Sequence, residues 1–185
     1  HCWVCNVSGK RLYSLLRKVD ASKEHIQELF RILGERPIYQ QHDKSNIVEV
    51  SLPIEYIPLY VPSNSIVYKN ALRYVLNRGL TALDILRYQI GFCSEGPYAN
   101  RIIVPSYDND NKLNYFIARS FYENSTIKKY KNPTVSKDVV IFENHINWKL
   151  PIVLCEGVYD AMAIKRNAIP IAGNTINNKL MENIV

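Results

Sequence analysis

Apolar positions recur along the chain first at helical spacing and then, after residue 100, in runs that read as strands. Leu12, Leu15, Leu16 and Val19 form one helical stripe, and Ile26, Leu29, Phe30 and Leu33 form a second that stops at Gly34. These stripes predict short helices over residues 10–19 and 22–33, with Asp20 or Ser22 as cap. Residues 35–62 carry Pro37, Pro53, Pro58 and Pro62 with little periodicity, which predicts a linker and a domain boundary. From Ser65 the helical period returns through Ala71, Leu72, Val75 and Leu76, with Gly79 as the stop. Thr81 followed three residues later by Asp84 fits a capping box for a helix through about Tyr88. RIIVPSY (101–107), the polar turn DNDN (108–111) and LNYFIARSFY (113–122) predict a β-hairpin or meander. VVIFE (139–143), IVLCE (152–156) and AIPIA (168–172) predict further strands, with a helix from about Tyr159 and another at the C-terminus. Helices, then antiparallel strands, then strand-helix-strand make the fold class α+β, ending in a parallel α/β unit.

Composition narrows the class. At 47% apolar and 11% aromatic residues, 185 residues can bury one or two globular cores. No apolar run reaches the roughly 18 residues a bilayer span needs, and no signal peptide opens the chain, so no membrane partner is expected. The expectation is a soluble intracellular protein. The net charge of +6 favours an acidic partner. A start at His1 and an end inside an amphipathic pattern at Met181–Val185 suggest a fragment cut at both ends. The two N-x-S/T matches, at Asn6 and Asn124, carry no meaning in such a compartment.

Chemistry-bearing residues cluster in three places. In IVLCEGVYDAMAI (152–164) a buried strand ends on Glu156, and Asp160 opens the next helix. Two carboxylates at the carboxyl edge of a parallel sheet suit Mg²⁺, with Gly157 easing the turn between them. The alternative is structural, with Glu156 ending the strand and Asp160 favouring the helix dipole. His1-Cys2-Trp3-Val4-Cys5 presents a C-x-x-C pair, which reads as half a zinc site, a redox pair or a chance spacing. Cys155 lies in an apolar strand and Cys93 near a turn, and both read as packing residues. Residues 101–137 hold seven basic side chains against Asp108, Asp110 and Glu123, a balance of +4. Tyr107, Tyr115, Tyr122 and Tyr130 are interleaved with them, as on a surface that tracks phosphates and stacks bases, or on a solvated sheet face. His25, His42 and His145 show no partner pattern.

The order of these segments resembles the DnaG-like DNA primases of bacteria and their phages over nearly the whole chain. HCWVCNVSGKRLYSLLRKV resembles the second half of their zinc ribbon, and YVLNRGLT with YQIGF resembles the opening of their RNA polymerase domain. RIIVPSYDNDNKLNYFIARSF is similar to their basic strand pair and KYKNPTVSK to the lysine-bearing loop after it. VLCEGVYDAMAI and AIPIAGNT are similar to the first motif and next strand of the Toprim fold. The resemblance implies a partial zinc-binding domain with its following helices at 1–34, a linker at 35–62, a basic subdomain at 63–150 and the start of a Toprim unit at 151–185.

It also implies roles. Cys2 and Cys5 would be two of four ligands to a structural Zn²⁺, with His1 at a non-ligand position. Glu156 and Asp160 would be catalytic acids that hold Mg²⁺ or Mn²⁺, and Arg101, Arg119, Lys129 and Lys137 would contact template or nucleotide. The implied activity is synthesis of short RNA primers on single-stranded DNA from ribonucleoside triphosphates, alongside a replicative helicase that is fused or separate. The implied place is the cytoplasm of a bacterium or a phage-infected host. The family's D-x-D motif and the other half of the zinc ribbon are absent, so the fragment itself is expected to be inactive. The rivals are another Toprim enzyme, a topoisomerase or nuclease, and a non-catalytic single-strand DNA-binding module.

Overall fold

A computed structural model describes residues 12, 16, 18–33, 49–122, 128–171, 173 and 176–184. The chain divides into two compact units, His1–Ile47 and Val48–Val185. In the first unit, helix α1 (Lys23–Leu33) starts where the Ser22 hydroxyl accepts from the His25 N–H at 3.4 Å, as the capping expectation required. Its amphipathic stripe buries Leu29. The helix expected over 10–19, and with it Cys2 and Cys5, lies wholly or largely outside the described residues.

The second unit is organised by an antiparallel sheet of four strands in the order β1 (Tyr56–Pro58), β2 (Gly91–Cys93), β3 (Arg101–Tyr107) and β4 (Leu113–Ser120). Residues 56–58 fall inside the expected linker, and pairing of Tyr56 with Cys93 and Pro58 with Gly91 makes them an edge strand instead. Proline is tolerated there because an edge position does not need every N–H in the ladder. Position 91 requires glycine, since a Cβ there would collide with the Tyr56 ring and the Ile57 carbonyl.

Helices α2 (Ile66–Asn77) and α3 (Ala82–Arg87) lie between β1 and β2 in sequence. The Ser65 hydroxyl accepts from the Val67 N–H to start α2, and Gly79, at φ 78°, follows its end. At the start of α3 the Thr81 hydroxyl and the Asp84 carboxylate satisfy each other's backbone N–H, the reciprocal cap read from the sequence.

Alternation along β3 and β4 sends Ile102, Val104, Tyr115 and Ile117 into the main core with Ala71 and Val75 of α2. The opposite set, Ile103, Phe116 and Ala118, packs with Cys93, Val50, Leu52 and Tyr98. Both faces of this hairpin are therefore covered between two apolar layers, so neither alternative read from its sequence, a solvated face or a base-stacking surface, describes residues 102–104 and 115–118.

The second sheet is a strand-helix-strand unit made of β5 (Val153–Cys155), helix α4 (Val158–Ile164) and β6 (Ala168–Pro170), with β5 and β6 parallel. Helix α5 (Asn178–Ile184) follows. Residues 139–143, expected as a strand, form an irregular buried segment that leads into a short 3₁₀ turn at Glu143–His145. Phe142 adopts φ 63°, which breaks the extended run. The Ser106 hydroxyl accepts its N–H at 3.0 Å in place of a neighbouring strand. Val140, Ile141 and Phe142 are buried all the same, so their apolarity reported core position rather than strand geometry.

Candidate active site and nucleic-acid interface

Cys155 ends β5 and Val158 begins α4, so Glu156 and Gly157 form the turn at the carboxyl edge of the parallel pair. Both Glu156 and Asp160 are exposed. One Asp160 oxygen accepts the Gly157 N–H at 3.1 Å and so caps the helix. The structural role weighed for Asp160 is thus present, and it spends one oxygen of the carboxylate. Gly157 has an ordinary extended φ of −130°; what favours glycine is the Asp160 oxygen, 3.1 Å from where a Cβ would stand. Burial, and after it the Asp160 charge, push the neighbouring Cys155 thiol up to about 11. That thiol therefore stays protonated and unreactive at neutral pH.

An open pocket of about 450 Å³ lies over this turn. Glu156, Gly157 and Asp160 form one wall, and Tyr130, Asn132 and Lys137 bring the basic loop to it. The loop is fastened to β4 by backbone bonds from Ser120 N–H to the Lys129 carbonyl and from Lys131 N–H to the Ala118 carbonyl, both 2.9 Å. The Asn132 side chain accepts the Ala118 N–H at 3.1 Å. Lys129 and Lys137 are exposed, and the Lys137 carbonyl accepts from Asn177 at 3.0 Å, which ties the pocket rim to α5.

The two arginines read from the basic strand pair part company. Arg119 lies on the same face of β4 as Tyr115 and Ile117, donates to the Tyr130 hydroxyl and lies over the Tyr130 ring at 5.1 Å. Arg101 is buried and donates to the carbonyls of Lys128 at 2.8 Å and Lys129 at 3.2 Å. Its guanidinium holds the loop and is not presented to the pocket. Lys131 likewise is engaged, by the Pro97 carbonyl at 2.6 Å.

Glu156, Asp160 and Lys137 thus line one cavity; Arg119 bonds to Tyr130 of its wall and Lys129 precedes Tyr130 in the loop, but neither lines the cavity. Asn132 and Gly173 of that wall lie in the stretches KYKNPTVSK and AIPIAGNT but are not among the expected site residues, and Tyr130 is marked both by the first of these stretches and by the interleaved tyrosines. Two exposed carboxylates are hard oxygen donors that suit Mg²⁺ with several waters retained. Among the described residues no group of three or more acidic, histidine or cysteine side chains is placed to share an ion. No described helix is long and apolar enough to cross a membrane.

No family model matches the chain, and no curated protein matches it. Solved structures do. The DnaG primase catalytic domain bound to single-stranded DNA matches at TM-score 0.56 and 18% identity, over 65% of this chain and 52% of that one. The RNA polymerase domain of Mycobacterium tuberculosis DnaG, in complex with double-stranded DNA, matches at TM-score 0.57 and 16% identity, over 65% and 53%. The Aquifex aeolicus primase, comprising its zinc-binding and RNA polymerase domains, matches at TM-score 0.52 and 15% identity, over 97% of this chain and 55% of that one. The chain spans about half the length of each of these three structures. With its antiparallel sheet followed by a parallel strand-helix-strand unit, the chain has the α+β fold of the bacterial DnaG primase catalytic domains.

Proposed function

We propose that this chain is part of a primase that makes short RNA on single-stranded DNA by divalent-metal-dependent nucleotidyl transfer. The observation that carries the reading is the single pocket in which Glu156 and Asp160 face Lys137 and the Tyr130 loop. Acids and bases that belong to separate stretches of sequence converge there on the fold of a primase catalytic domain.

In the proposed reaction a 3′-hydroxyl oxygen attacks the α-phosphorus of a ribonucleoside triphosphate. The bond to the β-phosphate breaks, and pyrophosphate leaves. Glu156 and Asp160 would hold Mg²⁺, or Mn²⁺, and a cation so bound neutralises charge on the transferring phosphate. Glu156, with no described hydrogen bond of its own, serves as that ligand or takes the proton of the attacking hydroxyl. Lys137 and Lys129 neutralise triphosphate or template phosphates. Arg101 acts through the loop carbonyls it holds, and Arg119 acts beside Tyr130. Cys2 and Cys5 supply half of a structural Zn²⁺ site in the proposed parent protein.

The test is template-dependent incorporation of labelled ribonucleotides with Mg²⁺ by the full-length gene product and its Glu156→Gln variant. Activity that falls at least a hundredfold in the variant, with single-strand binding retained, is the expected result. Intact primer synthesis in the variant rejects the assignment of Glu156. Single-strand binding with no synthesis in either protein points to a binding module.

A further inference from the structure

Tyr159 lies between the two acids in sequence and is buried, with its hydroxyl making no hydrogen bond. The guanidinium of Arg78, at the end of α2, lies over its ring at 4.6 Å, and that of Arg119 at 5.4 Å. Arg78 also lies over Tyr74 at 5.0 Å, and Arg119 over Tyr130 at 5.1 Å. Five side chains therefore alternate, Tyr74, Arg78, Tyr159, Arg119 and Tyr130, from the last turn of α2 to the wall of the acid-lined pocket. Neither arginine forms an ion pair with a described carboxylate, and the buried Nε of Arg119 makes no hydrogen bond.

A cation held by a carboxylate is neutralised, whereas a cation held on the face of an aromatic ring keeps its full charge. Arg78 is exposed and Arg119 half-buried behind Tyr130 of the pocket wall, so the desolvation cost falls on Arg119, and an anion in the pocket relieves it. We infer that Tyr159 is a positioning residue, whose ring fixes Arg78 and Arg119 as uncompensated cations so that their field acts on a phosphate bound beside Glu156 and Asp160. The inference rests on the reading of that pocket as a phosphate-handling site. The Tyr159 hydroxyl takes no part; the ring face holds Arg78 together with the Tyr74 ring, and Arg119 together with Tyr130.

The test replaces Tyr159 by Phe and then by phenylalanines with one, three and five ring fluorines, which weaken and finally reverse the ring's negative face while nearly keeping its shape. Affinity of the 185-residue chain is measured for inorganic tripolyphosphate and for a labelled oligothymidylate. Tyr159→Phe is expected to bind like the wild type. Affinity is expected to fall stepwise across the fluorine series, by about tenfold in all. In an Arg119→Gln background the dependence on fluorination is expected to shrink. An affinity that does not change with fluorination overturns the inference, and so does a dependence undiminished by Arg119→Gln or a loss already complete in Tyr159→Phe. A side chain that merely fills space would give the flat result. A wild-type chain that binds neither probe overturns the phosphate-site reading together with this inference, whereas binding with a flat series overturns the inference alone.

Discussion

Asp160 serves the helix and the pocket with one carboxylate, and its variants separate the two roles. Asp160→Asn keeps an oxygen that can accept the Gly157 N–H but removes the charge, while Asp160→Ala removes both. The alanine variant is expected to lose about 1 kcal/mol of stability by urea denaturation and the asparagine variant much less. Both are expected to lose incorporation activity alike. Equal stability losses would show that the cap contributes nothing. His145 provides a pH test at the same scale. Burial beside Tyr88 and Phe142, and then the Arg87 charge, hold its imidazole below the ordinary value near 6.5. A lowered folded-state value means that the unfolded chain binds the proton more readily. The stability contribution is thus present above about pH 6.5 and is lost as pH falls through the folded value. The melting temperature is expected to drop between pH 7 and pH 5 by less in His145→Gln than in the wild type.

At the scale of elements, two segments are held by side chains where a strand ladder is missing. Ser106 donates to Asn114 at 2.7 Å while accepting the Phe142 N–H, so it anchors residues 139–142 to the hairpin. Ser106→Ala leaves that buried N–H unpaired and is expected to cost about 1–3 kcal/mol in chemical denaturation. Arg101 does the same for the loop at 128–129. Since it spends its donors on carbonyls, Arg101→Met is expected to weaken oligothymidylate binding without lowering the salt slope. Lys129→Gln or Lys137→Gln, each removing a proposed phosphate contact, is expected to lower the slope by about 0.7. A lower slope in Arg101→Met would return Arg101 to direct contact with phosphate.

Over the whole molecule the net charge is +6, and residues 101–137, which bring Lys137 to the pocket, carry a balance of +4. If Lys128, Lys129 and Lys137 neutralise one phosphate each, single-strand affinity is expected to fall about twentyfold between 50 and 200 mM salt. A fall of less than about threefold in an equilibrium titration would mean that the rim does not track a strand. The neighbouring Glu156 and Asp160 repel a bare phosphate backbone. Mg²⁺ is therefore expected to strengthen triphosphate binding in the wild type more than in Glu156→Gln.

What the chain order determined by itself is local. Helix starts at Ser22, Ser65 and Thr81, the stop at Gly79, the hairpin around residues 108–111 and the strand-turn-helix around Glu156 all follow from bonds or φ values that near neighbours fix. The acids could be named from sequence because a strand end and a helix start are local events. Tertiary structure decided the rest. It made 56–58 an edge strand, because β2 was there to pair with it, and denied 139–143 a ladder, because Ser106 took the N–H that a strand would have used. It covered both faces of β3, which turned Arg101 inward to the loop carbonyls while Arg119 stayed near the pocket. No periodicity could foresee that Arg78, Tyr159 and Arg119 would stack, since their contacts join a helix end, a second helix and a strand far apart in the chain. Charge and aromaticity set what each side chain can do, and packing alone set which of them meet.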